Sequence, residues 1–259
     1  MVILMTKQER QHAILSLLQD RGELQIQTIC RQFHIVPMTA RRDLAELEAA
    51  GSLIRTHGGA IAKEKKTFDA QTPLASRLRT HTSEKEAIAK YAVTLLEPHD
   101  AIFIASGSTI DIFARKLLHR MPLSIVTDAV NVAYQLNQDS HLHIFMVGGE
   151  LRSNSLTLTG SIAQNNLKQF RLQKAFISVN GIDEDGCLYT SSVVESGLLE
   201  ELFRAVEEIY VLADSSKLGR KDFVTIQRDR PFTLITSGEV SEAMLDHYRD
   251  IGITVLKVT

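Results

Sequence analysis

The chain is 259 residues long, 44% hydrophobic and 23% charged, with a formal net charge of −2. That is enough apolar material for one large or two unequal globular domains, and it excludes a disordered or fibrous chain. Apolar runs such as residues 101–105 and 209–213 are far shorter than the ~20 residues of a membrane-spanning helix, and the opening MVILM is too short for a secretory signal.

Two cysteines, Cys30 and Cys187, lie in unrelated segments, which argues against a disulfide framework or a cysteine metal site and fits a reducing cytoplasm. The charge is unevenly spread. Residues 1–82 carry 12 Lys and Arg against 8 Asp and Glu, whereas residues 83–259 carry 17 against 23. The N-terminal third is mildly basic, and where its cations fall matters more than their number.

Before residue 62, apolar residues recur at helical spacing in three blocks. The first, 8–19, sets Ile14, Leu15, Leu17 and Leu18 on one face and stops at the glycine of DRG. The second, 26–33, turns Ile26, Ile29, Cys30 and Phe33 inward; HIV makes a turn, and Pro37 opens a third helix in the first-turn position where its missing N–H is harmless. At about 100° per residue, Ala40, Leu44 and Leu47 form the inner stripe of that helix, Met38 and Arg42 point away from it, and Thr39 and Arg41 flank them.

This is helix-turn-helix spacing, in which an arginine reaches guanine edges or phosphates and a threonine or methionine touches a thymine methyl or the backbone. Arg41 and Arg42 have a plainer reading as solvated charges paired with Asp43, Glu46 or Glu48. The next segment, GSLIRTHGGAI, tips the balance. It reads as a glycine stop, a short strand, a basic tip and a returning strand, a wing that lays Arg55, Thr56 and His57 along the phosphate backbone. Residues 1–62 are therefore expected to be a winged helix-turn-helix DNA-binding domain. Residues 63–82, polar and ending in a short helix, are expected to be a linker, and residues 83–259 an α/β domain for effector binding and oligomer contacts.

In that last region AIFIAS, LSIVTD, LHIFMVGG, KAFISVNG, IYVLADSS and FTLITSG are apolar strands, most followed by a helical segment. The alternation predicts a mainly parallel sheet covered on both faces, with ligands collecting at the C-terminal strand ends. Polar residues fall at those ends. Ser106, Gly107, Ser108 and Thr109 form a turn into a helix that suits a phosphate, and Asp128 can accept from sugar hydroxyls. Gly148 and Gly149 allow close approach, and Lys217 offers a second phosphate contact. Taken singly they are caps, turn formers and a surface charge; together they point to a sugar-phosphate site.

The stretch from Glu9 through HGGA, with RRDL, LE, G, L, R and HGGA in place, resembles the winged helix-turn-helix of the DeoR family of bacterial transcriptional regulators. Pro37 stands where many members have a capping residue. Further on, GSTI, VTDA, VGGELR, TLTGSIA, NGIDEDG and LADSSKLGRKDF are similar to that family's effector domain, whose fold is related to pentose-phosphate isomerases. The resemblance implies a cytoplasmic repressor of a carbohydrate-utilisation operon that binds double-stranded operator DNA and responds to a phosphorylated sugar. No cofactor and no metal are expected.

Two departures stand out: the aspartate that many members carry before the glycine-serine-threonine turn is absent from IASGST, and Leu199 replaces a common lysine. A homo-oligomer is expected, because one small winged domain makes too few contacts for strong operator affinity. The alternative is an isomerase-like enzyme or carrier with an appended DNA-binding domain, using the acids Asp183, Glu184 and Asp185 with Lys217. It lacks the lysine and glycine cluster of such enzymes, and NGIDEDG reads more simply as a polar turn. The nine histidines show no ligand spacing.

Overall fold

The computed structural model describes residues 5–21, 23–49, 52–56, 58–62 and 74–259. The chain divides into two compact units, Met1–Thr67 and Phe68–Thr259.

The first unit runs α1 (Lys7–Arg21), β1 (Glu23–Gln25), α2 (Ile26–Phe33), α3 (Pro37–Ala49), β2 (Leu53–Arg55) and β3 (Gly59–Ala62). Ile14, Leu18, Ile29, Ala40, Leu44 and Leu47 bury together as the helical spacing requires. His34 closes α2 in the left-handed region at φ 51°, its N–H on the Cys30 carbonyl, and so makes the turn into α3. No hydroxyl caps α3, because Val36 precedes it; Pro37 instead presets the first helical φ. The strands form a three-stranded antiparallel sheet in the order β1-β3-β2, with Arg55 opposite Ala60. Strand β1 is not foreseen from the sequence. Its Leu24 packs in the core and β3 runs against it, at a place where a side chain on Gly59 would lie 1.9 Å from the Leu24 carbonyl oxygen. The expected glycine stops at Gly22 and Gly51, and His57 at the wing tip, lie outside the described residues.

The second unit continues with α4 (Leu74–Arg77), α5 (Thr82–Val93), β4 (Ala101–Ile104), α6 (Ser108–Leu117), β5 (Leu123–Thr127), α7 (Val130–Leu136), β6 (Leu142–Met146), β7 (Glu150–Arg152) and β8 (Thr157–Thr159). Then come α8 (Ser161–Leu167), β9 (Lys174–Ile177), β10 (Gly181–Ile182), β11 (Leu188–Thr190), α9 (Val193–Ala205), β12 (Glu208–Leu212), β13 (Val224–Ile226), β14 (Thr233–Ser237), α10 (Glu242–Asp250) and β15 (Thr254–Val258).

Seven strands form one sheet in the order β15-β14-β12-β9-β4-β5-β6, with every pairing parallel. Side chains alternate across it. Ile102 and Ile104 pack with α5, α6 and α7 on one face, and Phe103 and Ala105 with α8, α9 and α10 on the other. From β4 the chain winds outward through β5 to β6, then returns to lay β9 on the opposite side of β4. The strand order therefore reverses between β4 and β9, and their C-terminal ends open a crevice there. The edge strand β15 and the small antiparallel groups β7-β8 and β10-β11-β13 are additions to the strands legible in the sequence.

Candidate functional site

On α3 the inner stripe holds the helix to its unit and leaves a basic outer face. Met38 is 72% exposed, Arg41 is exposed, Thr39 is half-buried, and the Arg42 side chain is 77% exposed. Arg42 lies 3.4 Å from Glu46, but Glu46 is already taken by Lys7 at 2.6 Å and by Gln11. The Lys7 hydrogen bond, seconded by Gln11, holds the Glu46 carboxyl below its ordinary range. An exposed pair of this kind is screened by solvent and contributes little, so the Arg42 guanidinium can exchange it for a phosphate or base edge.

Asp43 takes no part in that face. It is 1% exposed and grips Arg10 of α1 through two hydrogen bonds of 2.6 and 3.2 Å. The wing carries Arg55, whose N–H and guanidinium both engage Glu48, and exposed Thr56, whose N–H closes the tip on Gly59.

In the second unit a cleft of about 440 Å³, counted to its open mouth, lies at the strand-order reversal. Ser106 and Gly107 beyond β4, Asp128 beyond β5, and Ser178 and Asn180 beyond β9 line it, with Arg77, Thr190, Glu195 and Leu199. Of the residues anticipated from sequence, Ser106, Gly107 and Asp128 are therefore brought together. Ser108 and Thr109 are buried in the adjoining first turn of α6. Gly107 sits at φ 141°, where a Cβ would come 2.8 Å from the Ser178 Cβ.

Lys217 lies in the short turn after β12, outside the lining. Burial, first of all, pushes its ammonium below the ordinary lysine range, and the charges of Arg77, Arg220 and Lys85 push the same way against Asp214. Gly148 and Gly149 do not line the cleft. They turn the chain from β6 into β7, and Gly149 backs onto the Thr159 carbonyl, 2.4 Å from where a Cβ would stand.

Asp128 is 4% exposed, and one of its carboxyl oxygens, Oδ1, has no hydrogen-bond partner among the described residues. Burial, and after it the charge of Glu195, pushes its pKa up to about 8, against the N–H groups of Asp128 and Ser106 that favour the anion. At neutral pH it is mostly a carboxylic acid, able to donate as well as accept. Glu195 is held in place by Ser155 at 3.1 Å, by Thr190, and by Arg152 at 3.6 Å, whose guanidinium also donates to Ser192.

The folded state thus keeps a proton on Asp128 that the unfolded chain, with an ordinary carboxylate near 3.8, releases. Its contribution to stability is greatest at acid pH and declines as pH rises from about 4 to about 8. The Asp128→Asn variant is expected to melt progressively above the wild type across that window. Thermal melts at pH 5, 7 and 9 check this; a constant difference between the two proteins rejects the buried acid.

Arg77, Ser178, Asn180, Thr190 and Glu195 were missed in the sequence. Glu195 had a complete local explanation, because Ser192-Val193-Val194-Glu195 has capping-box spacing and the Ser192 oxygen accepts from the Glu195 N–H. Asp183 is no free base either. Its carboxylate accepts from the N–H groups of Asp185 and Cys187 and from the Tyr189 hydroxyl, and pairs with Lys221. NGIDEDG thus forms β10 and the polar turn that leads into β11, with Asp183 saturated at the turn.

One group of three potential metal donors occurs among the described residues: His81, Glu84 and Asp214, with ligand atoms within 4.8 Å of one another. Ser215 and His81 already occupy Glu84, Ser216 occupies Asp214, and the Lys85 ammonium lies 3.6 Å from Asp214. A cation there would face an ammonium and displace those bonds.

The DeoR-like helix-turn-helix domain model matches residues 10–66, and the DeoR C terminal sensor domain model matches residues 80–238. The chain belongs to the DeoR family. Its relatives include the Lactose phosphotransferase system repressor of Lactococcus lactis subsp. lactis, 34% identical over 259 residues, 98% of this chain and 99% of the relative. The protein of the same name from Staphylococcus epidermidis is 36% identical over 224 residues, 85% and 87% of the two chains. Transcriptional repressor AccR of Agrobacterium fabrum is 30% identical over 240 residues, 92% of each.

Among solved structures, ribose 5-phosphate isomerase A of Methanocaldococcus jannaschii aligns with a TM-score of 0.41 at 18% identity, covering 54% of this chain and 55% of that one. As a DeoR-family member the chain is a DNA-binding transcriptional regulator, and the winged unit and the parallel α/β unit are its two functional parts. None of the helices among the described residues is long and apolar enough to cross a membrane.

Proposed function

We propose that this DeoR-family protein is a cytoplasmic repressor of a sugar-utilisation operon, released from or held on its operator by a phosphorylated sugar bound in the cleft. The observation that carries the reading is the cleft at the β4/β9 reversal. It combines the glycine turn at the start of α6, where N–H groups favour an anion, with Asp128, Asn180 and Glu195, which suit hydroxyls. Relatives named as repressors of a lactose phosphotransferase system support a sugar as the signal. Leu199, where many members have lysine, gives the cleft an apolar wall and leaves the anion to the α6 turn.

In this reading the chain is a sensor and performs no turnover. Isomerisation needs a base beside the carbon to be deprotonated, whereas Asp128 is mostly protonated at neutral pH and Asp183 is saturated. Incubation with a panel of sugar phosphates, followed both for turnover and for retention of a labelled operator, tests the two readings together. A changed retention without turnover supports the repressor; turnover supports the isomerase alternative.

Met38, Thr39, Arg41 and Arg42 form the proposed groove-reading face, and Arg55, Thr56 and His57 the wing contacts. Arg42→Ala is expected to lose about 1 to 3 kcal/mol of sequence preference if the guanidinium reads a base edge, whereas a phosphate contact weakens all sequences alike and lowers the salt slope by about one. Operator titrations at several salt concentrations separate the two. Unchanged binding by both Arg41→Ala and Arg42→Ala returns these residues to the solvated surface.

A homo-oligomer presenting two or more heads to repeated half-sites would supply the affinity that one winged unit lacks. In sedimentation at micromolar concentration the full chain is expected to run above 28.9 kDa; a monomer removes this account.

A further inference from the structure

Between the end of the undescribed stretch 63–73 and the first long helix of the sensor unit lies a short strap, residues 74–81. Its single helical turn, α4, has no buried residue. It ends at His81, which sits in the left-handed region at φ 49° where α5 begins. Leu78 packs against the core beneath α5 and α6, and a buried ammonium fastens the strap's backbone to the sensor unit. Lys85, 2% exposed, donates to the carbonyl oxygens of Arg77 at 2.6 Å and Thr80 at 2.5 Å, and lies 3.6 Å from Asp214 at the end of β12. Lys85 is thus spent on holding the strap's backbone.

The Arg77 side chain leaves that strap and lines the cleft, and its Nε has no hydrogen-bond partner among the described residues. Around it stand like charges, Lys217 and Lys85, and Glu195 is the acid that offsets them. A buried donor without an acceptor, crowded by cations, is a standing cost that an anion in the cleft removes.

Resting on the reading of the cleft as an anion-binding site, we propose that Arg77 takes the phosphate of the ligand and that the strap 74–81 is the segment the ligand orders. Lys85 keeps the strap close enough for Arg77 to reach the anion. The ligand shifts the strap because it interacts with Arg77 in the ordered arrangement and loses that contact in any other.

Inorganic phosphate serves as the probe on the full-length protein, with thermal melts and amide hydrogen exchange read together for wild type and Arg77→Gln. Phosphate is expected to raise the melting temperature of the wild type and to slow exchange across residues 74–81. In Arg77→Gln its apparent affinity should weaken about ten- to a hundredfold. Equal stabilisation of both proteins overturns the role of Arg77 while leaving an anion site in the cleft. Stabilisation that depends on Arg77 without slower exchange in the strap overturns the ordering. A wild type that phosphate does not stabilise removes the anion-binding reading, and this inference with it.

Discussion

Asp43→Ala is expected to destabilise the N-terminal unit by about 3 to 5 kcal/mol, because it leaves the Arg10 guanidinium in a largely buried position without its carboxylate. The pair joins α1 to α3 through two hydrogen bonds, and the Asp43 side chain is only 2% exposed. Urea unfolding of the full chain followed by circular dichroism, with operator retention beside it, measures the effect. The double variant Arg10→Met/Asp43→Leu should recover much of the loss, since apolar residues of similar volume replace a buried ion pair at little cost. A single variant within about 1 kcal/mol of wild type would place the pair in the class of exposed surface bridges.

The second large effect is on the response to effector. Gly107→Val adds a branched side chain at φ 141°, a conformation that L residues rarely adopt, and drives it against Ser178 on the other side of the crevice. Lys217 stands outside the cleft lining, in the turn after β12; if its ammonium reaches the phosphate, Lys217→Ala removes a charge-assisted contact worth roughly 1.5 to 3 kcal/mol, or about ten- to a hundredfold in effector affinity. Neither residue belongs to the DNA-binding unit. Both variants are expected to hold the operator without effector and to respond only at much higher effector concentration, giving constitutive repression if the sugar phosphate is an inducer. Asp128→Asn should respond more nearly as the wild type, because an amide keeps both a donor and an acceptor. Dose-response curves on a labelled operator, after circular dichroism has confirmed that each variant is folded, decide the matter. Wild-type curves from both Gly107→Val and Lys217→Ala move the ligand elsewhere and leave the DNA-binding assignment intact.

The DNA-binding unit was legible in the sequence because what defines it is local. Helical periodicity put Ala40, Leu44 and Leu47 inside and Met38 and Arg42 outside, and neighbouring residues set the turn at His34 and the hairpin of β2 and β3. In the same way, alternating apolar strands and helices specified a parallel sheet, and six of its seven strands could be read from their own residues. Strand β1 escaped because three residues with one inward leucine carry too little periodicity, and its strand state comes from pairing with β3.

The cleft was half legible. Ser106, Gly107 and Asp128 stand at strand ends, a position any parallel sheet makes functional. Arg77, Ser178 and Glu195 enter it only because the strand order reverses between β4 and β9 and because α4 ends and α9 begins beside that reversal. The spacing of residues 77, 178 and 195 along the chain carries no trace of this. Asp43 likewise looked like one more helix-surface charge until packing buried it against Arg10, and Asp128 looked like an ordinary acceptor until burial and Glu195 raised its pKa. By itself the sequence determined the helices of the DNA-binding unit, six strands of the main sheet, their inner faces and the family, all of which depend on residues a few positions apart. Tertiary structure alone decided which distant side chains share a cavity, which charges are buried, and which proton is kept, because desolvation and Coulomb interaction depend on distance in space.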